Sequence, residues 1–327
     1  MSAVTQADQA APGSVPASGL TARPGLGDRG FRWLALGSGL LVLVILVLIA
    51  VSTSQQAASW FTTEGWGIFG TVWDPAANKF GATPFIYGTA VTGVIALVMA
   101  VPVSIGIALL VTEVVPKRVA QPIVWLIDLL AVVPSVVFGL WGILVFAPWI
   151  APHYKGIADA VDGIPVLGTL FGAPTSGLSF FTAGLILAVM IVPIVTSLSR
   201  EVIATTPPIE REAAYALGAT KLEMITGAVW PHSKGGIVGA VMLGLGRAMG
   251  ETIAAALVIG SSAQITAHLF STGDSMPAVI ANQFGEASGL QRSALIGLGV
   301  VLFLITIVVN IAARAVVQRS MAKSRGA

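Results

Sequence analysis

Residues Ile237–Gly260 read IVGAVMLGLGRAMGETIAAALVIG, an apolar run that carries two ionisable side chains, Arg247 and Glu251. A helix of about 20 such residues crosses the hydrocarbon layer of a bilayer. A charge at the centre of that layer costs roughly 2.5–3.5 kcal/mol per residue on insertion scales. Ionisable groups placed inside a span commonly mark an ion or substrate path. This run therefore predicts both a membrane protein and the place in it where chemistry happens.

The rest of the composition agrees. Of 327 residues, 55% are hydrophobic and 10% charged, well below the roughly 25% charged residues of soluble domains. The 37 glycines suit close helix packing in lipid, where small residues let backbones approach. Cysteine is absent, which excludes disulfides, thiolate metal sites and thiol catalysis. A net charge of +2 gives no reason to expect nucleic acid binding.

Further apolar runs lie at Trp33–Val51 and at about 85–112, 120–149, 180–204 and 293–313. With 237–260 they predict an all-α integral membrane protein of six transmembrane helices, since lipid-exposed backbone must satisfy its own hydrogen bonds. The first run is too long for a signal-peptide core and reads as a retained anchor. Pro102, Pro134 and Pro193 fall inside runs, and Pro134 is the expected kink in the third. Residues 1–30, rich in Ala, Gly, Ser and Pro, read as a disordered tail. Residues 31–320 read as the membrane domain and 321–327 as a C-terminal tail.

Of 17 Lys and Arg, thirteen fall on the side that holds both termini and the second and fourth connections. Only Lys79, Lys155 and Arg292 fall on the other side, and Arg247 lies within a span. The positive-inside rule then puts both termini in the cytoplasm. Trp60, Trp66, Trp73 and Trp149 are expected in the outer aromatic belt.

The connection between the fourth and fifth runs, about 205–231, is patterned. Thr206 reads as an N-cap with Pro207 in the first helical position. A short helix is expected to about Leu217, ended by Gly218 in a left-handed conformation. Thr220-Lys-Leu-Glu223 reads as a capping box for a second helix, limited by Pro231. Physics alone leaves two readings: an amphipathic surface segment, or a docking element for a cytoplasmic partner. In the second, Ala213, Ala214 and Ala216 offer a small-residue surface while Glu210, Arg211 and Glu212 stay at its wet edge.

Glu212-Ala213-Ala214-x-x-x-Gly218, with Pro231 thirteen residues after the glycine, resembles the EAA loop of ABC-importer permeases. Ala228 and Trp230 depart from the Ile and Leu that usually precede that proline. Arg247-Ala-Met-Gly-Glu251-Thr-Ile253 is similar to the Arg-Ala-x-Gly-Glu-Thr signature of phosphate importer permeases. The sequel Ala254–Gly260, the segments Ala281–Ala287 and Arg292–Ile296, and Val133–Gly139 resemble the PstC branch rather than the PstA branch. The resemblance covers about residues 30–320. It implies a type I ABC-importer permease architecture in a bacterial plasma (inner) membrane. It also implies that Glu212, Ala213, Ala214 and Gly218 couple the chain to an ATPase.

Arg247 and Glu251, four residues apart, are expected on one helix face. They read either as a self-neutralising pair that eases insertion or as a substrate pathway. In the second reading Arg247 offers a planar, bidentate donor to phosphate while Glu251 holds or competes for it. Gly246, Gly250 and Ala254 form a small-residue stripe expected to pack against a helix, of this chain or of a partner permease. Asp128, in the third run, reads as polar packing or a gating group. His153, His232 and His268 match no metal-site spacing, and no cofactor is expected in this chain.

No G-x-x-x-x-G-K-[ST] phosphate loop is present. The chain therefore reads as a transport subunit and not an enzyme. The resemblance assigns hydrolysis to a separate PstB-like ATPase dimer, capture to a PstS-like phosphate-binding protein, and the other half of the pathway to a PstA-like permease. Two rivals stand beside this. A secondary transporter would use Arg247, Glu251 and Asp128 as an ion relay and would run without an ATPase. A scaffold or receptor component would bind without flux. Within the importer reading, sulfate and molybdate are the lesser substrate candidates.

Overall fold

The computed structural model describes residues 26–325 apart from 173 and 175. It is helical almost throughout, and five helices are long and apolar enough to cross a membrane: Gly27–Gln56, Thr83–Val114, Ser135–Val161, Phe180–Ala204 and Gly289–Ala315. The chain divides into two units at Val51/Ser52. The first is the greater part of α1 (Leu26–Gln56), whose run from Trp33 to Val51 carries no charge or proline. The chain is already helical from Leu26, so the expected tail boundary at residue 30 falls inside α1. The remainder of the expected tail, residues 1–25, lies outside the described residues.

The second unit opens with α2 (Ala58–Glu64) and a two-stranded antiparallel ribbon, β1 (Trp73–Asp74) and β2 (Lys79–Phe80). Asp74 Oδ1 closes its turn by accepting from the Ala76 and Ala77 N–H groups at 2.9 and 3.2 Å. Then follow α3 (Thr83–Leu109), which runs on through a π turn at Leu110–Val114, and α4 (Lys117–Val132). Val133 and Pro134 are extended and end α4, because a residue before proline is pushed out of the helical region. The helical path resumes as α5 (Ser135–Trp141), a π turn at Gly142–Phe146, and α6 (Ala147–Val161). Pro134 thus breaks the third run as expected. The apolar span, however, is Ser135–Val161 rather than 120–149.

After α7 (Pro165–Leu170), α8 (Phe180–Ala204) forms the centre, packed along α3 and α11. Its N-cap, Ser179, accepts from the Thr182 N–H at 3.1 Å. Gly184 of α8 sits directly on Ile95 of α3, a contact that leaves no room for a side chain there. The main core gathers Phe180, Ile186, Leu187 and Ile191 of α8 with Ala96 and Ala100 of α3, Phe138 of α5 and Val258.

The connection after α8 forms α9 (Pro208–Ala216) and α10 (Lys221–Met224). The helical path does not stop at Pro231 as expected. A π turn at Ile225–Val229 leads straight into α11 (Trp230–Gly250), with Pro231 in its first two positions. The wider turn accommodates the proline, which has no N–H to donate. The expected 237–260 helix is itself divided, for α11 ends at Gly250 and α12 (Ile253–Val258) begins after an extended Glu251. Then come an irregular stretch, α13 (Met276–Gln283) and α14 (Gly289–Arg325). Residues 321–325, expected as tail, continue α14.

The tryptophans separate. Trp66 and Trp149 are exposed, as a belt requires, but Trp60 is wholly buried against Phe80, Phe85, Leu295 and Leu298. Its indole donates to the Phe80 carbonyl at 2.9 Å. Trp73 is half-buried and donates to Gln283 Oε1 at 3.0 Å.

The irregular stretch from Gly260 to Ser275 is tied down by backbone hydrogen bonds, among them Ser262 N–H to the Gly273 carbonyl at 2.8 Å and Phe180 N–H to the Ser271 carbonyl at 3.1 Å. Asp274, at its end and outside the spans, is buried beside Gly88 and next to Gly273, which abuts the Phe180 ring. Burial pushes its carboxyl up from 3.8 to about 7, against a smaller pull from the Ser275 N–H. The stability that a raised carboxyl contributes is complete below its unfolded value and is lost as pH rises through about 7. Asp274→Asn is therefore expected to unfold at a higher temperature than the parent in detergent. The gap should widen from about pH 4 to about pH 8, towards an order of 4 kcal/mol. A gap that does not change with pH contradicts this placement.

Gly139 of α5 is another tight point. A Cβ there would lie 2.9 Å from Ala254 Cα and 2.7 Å from Leu257 Cδ1 of α12. Gly139→Val should cost about 1–3 kcal/mol as overpacking and separate the two helices. Unchanged thermal unfolding of this variant would refute so close a seat.

Candidate functional site

The break in the fifth run decides what Arg247 and Glu251 can do. Arg247 is in the last turn of α11, where a cation favours the carbonyl end of the helix dipole. Its side chain is exposed and makes no hydrogen bond or ion pair with any described residue. Glu251 has left the helix, with φ −70° and ψ 124°. Its Oε1 accepts from the Ala254 N–H at 3.2 Å, so the carboxylate caps the start of α12. The expected shared helix face is therefore overturned. An extended residue interrupts the four-residue repeat, and the acid is engaged by backbone rather than by arginine.

The break rests on the chain's other interrupted helix. Ala254 and Ala255 of α12 are buried, and Ala254 seats Gly139 just after the Pro134 interruption. Two discontinuous helices thus meet, and each supplies packing for the other's irregular backbone, as a bilayer demands. Of the small-residue stripe, Ala254 packs within this chain, whereas Gly246 and Gly250 have nothing within 4 Å of where a Cβ would stand. Asp128, on α4, is exposed and has no hydrogen bond or ion pair among the described residues. Nothing joins it to Arg247 or Glu251, and so the three form no contiguous relay.

On the other connection, α9 starts one residue later than expected. Pro207 is the N-cap with ψ 136°, since Pro208 follows it, and Pro208 takes the first helical position. The Thr206 hydroxyl instead meets Ser233 Oγ at 3.3 Å. Gly218 ends the helix at φ +83°, as expected. The capping box is present: the Thr220 N–H donates to Glu223 Oε2 at 2.7 Å, and the Glu223 N–H to Thr220 Oγ1 at 3.4 Å. The first of these hydrogen bonds holds the Glu223 carboxyl below its usual range.

Glu212, Ala213 and Gly218 are exposed, while Ala214 is half-buried against a small cluster of Ala108, Ile203, Met224, Val229 and Ile237. Ile209, Leu217 and Leu222 are 73%, 90% and 70% exposed, so α9 and its turn offer an apolar edge that the fold does not use. Arg211 is not at the wet edge. It is half-buried, and its Nη2 donates to Glu113 Oε1 at 2.9 Å. Glu113 was not among the residues singled out from the sequence; its one signal is an acid at the end of an apolar run, Leu109-Leu-Val-Thr-Glu113.

Residues 84–321 match the family described as binding-protein-dependent transport system inner membrane component. The phosphate transport system permease protein PstC of Haemophilus influenzae is 42% identical over 289 residues, 87% of this chain and 91% of that protein. The phosphate transport system permease protein PstC 2 of Mycobacterium tuberculosis is 40% identical over 296 residues, 89% of this chain and 91% of its own length. Among solved structures, a bacterial alginate ABC transporter in complex with its alginate-bound periplasmic protein aligns with TM-score 0.58 at 17% identity, over 90% of this chain and 98% of its own. The MetNI methionine ABC transporter, inward facing, aligns with TM-score 0.52 at 15% identity, over 76% and 99%. At that identity the two structures speak for the fold. Taken with the sequence relatives, they leave one assignment: the chain belongs to the binding-protein-dependent inner-membrane permeases of ABC importers, in the PstC family.

Proposed function

We propose that the chain is the membrane permease subunit of an ATP-driven importer of inorganic phosphate. It forms the translocation pathway with a second, PstA-like permease. A PstS-like protein delivers phosphate to the outer face, and a PstB-like ATPase dimer docks on the exposed edge of α9. Both termini are then cytoplasmic, in keeping with the distribution of Lys and Arg. Hydrolysis belongs to the ATPase, and this chain contributes the path and the coupling surface.

The observation that carries the reading is the free guanidinium of Arg247 at the end of α11. Glu251 accepts from the Ala254 N–H and makes no ion pair with the arginine. A planar fork of donors thus remains available to a tetrahedral anion. Glu251 acts by holding α12 in place, and its negative charge nearby keeps the site from trapping the anion, since conduction requires release. Two interrupted helices at the site fit this role, because irregular backbone in transporters tends to line the substrate path. On the cytoplasmic side, Glu212, Ala213, Ala214 and Gly218 present the helix and turn to the ATPase.

In liposomes holding the chain, second permease, ATPase and binding protein, Arg247→Ala should lower ATP-dependent phosphate uptake roughly 10- to 100-fold while the complex still assembles. Arg247→Lys should fall between the two, because it keeps the charge and loses the fork. Uptake by Arg247→Ala equal to the parent's would remove this arginine from the pathway.

A further inference from the structure

Arg211 joins three elements at once. Its Nη2 donates to Glu113 Oε1 at 2.9 Å and to the Ile203 carbonyl at 3.0 Å. Glu113 lies in the π turn that closes α3, and Ile203 in the last turn of α8. The side chains are 25% and 8% exposed, so this is not a surface pair that water would screen. Arg211 Nε is buried without a partner, so the hold on the guanidinium is through Nη2 alone. Arginine cannot shed its charge when displaced. Separating the pair would leave an uncompensated carboxylate and an uncompensated guanidinium under the helix ends.

The rest of α9 is weakly attached. None of its residues is fully buried, only Ala214 packs on the cluster beneath it, and its other polar contact, Glu210 Oε2 with His232 Nδ1 of α11 at 3.7 Å, is open to solvent. The ion pair is therefore the polar tether between α9 and the inner ends of α3 and α8. The latter two pack along their whole lengths and reach from this face to the outer one. We propose that Glu113 and Arg211 are positioning residues for energy coupling: through them, a displacement of α9 is passed to α3 and α8 as one body. This rests on the ATPase-coupled reading above. It adds a load path within this chain, between its docking helix and its core helices.

The test uses the complete four-component complex in liposomes and reads phosphate moved per ATP hydrolysed, together with stimulation of ATPase activity by phosphate-loaded binding protein. The parent complex must show both; if it does not, the importer reading itself fails, whatever the variants do. Glu113→Gln is expected to assemble and hydrolyse ATP, with phosphate moved per ATP lowered about fivefold or more and stimulation lost. Arg211→Lys should be intermediate, since it can meet Glu113 but lacks the fork that also reaches Ile203. The double variant Glu113→Met/Arg211→Met leaves no unpaired charge and guards against simple misfolding. It too should assemble and remain uncoupled. Coupling within about twofold of the parent in either assembled variant overturns the proposal. So does failure of both to assemble, which would make the pair a structural support only.

Discussion

Backbone polar groups inside a bilayer must find partners within the protein, and the break between Gly250 and Ile253 is where the fifth apolar run has to meet that demand. α11 ends there and leaves its last carbonyls without intrahelical donors, while α12 begins with N–H groups that lack acceptors. Glu251 answers one of the latter directly, through the Ala254 N–H. Close packing covers the break, with Gly139 of α5 seated on Ala254. That seat exists because Pro134 has already interrupted the third run a few residues earlier. The two interruptions depend on each other, and Arg247 owes its freedom to both. Had the helix continued, Glu251 would lie one turn from Arg247 and pair with it.

The element between α8 and α11 follows a different logic. Ile209 of α9, Leu217 in the turn after it and Leu222 of α10 are exposed and serve no core. The hold of α9 on the membrane helices is mainly the shielded ion pair Arg211–Glu113 and the half-buried Ala214, with a more exposed contact from Glu210 to His232 of α11. A helix held at few points and exposed elsewhere can be gripped from outside and can pass a push inward. Next to it, the capping box at Thr220–Glu223 and the π turn at Ile225–Val229 fuse α10 to α11. The turn after Gly218 is thus continuous with the helix that bears Arg247. The candidate anion site thus lies at the end of a helical path, Lys221–Gly250, that starts just after the turn closing α9.

What the sequence disclosed depended on how local the cause was. The apolar spans are legible because twenty adjacent residues carry the signal, and α8 lies where it was read. Pro134 and Gly218 are legible because each imposes its backbone conformation alone. The break at Glu251 is not, since no proline marks it, and glycine and threonine are common within membrane helices. An acid four residues after an arginine reads as a helical pair until the intervening backbone is seen. Pro231 misleads in the opposite direction, because a π turn absorbs it. Glu113–Arg211 is hidden by its separation of 98 residues. Trp60 is hidden because an interfacial indole and a core indole look alike until the packing of α14 beside it is known.

A phosphate path past Arg247 requires the break between α11 and α12 to face a water-filled route rather than lipid or a sealed helix interface. The chain has no cysteine, so a single one can report on that point. Gly250 is suited to carry it: its φ is not in the left-handed region, and nothing lies within 4 Å of where a Cβ would stand. In the assembled complex, Gly250→Cys should react with a water-soluble, anionic thiol reagent, and inorganic phosphate delivered by the binding protein should slow the reaction. Modification by a lipid-soluble reagent alone, indifferent to phosphate, would contradict the account.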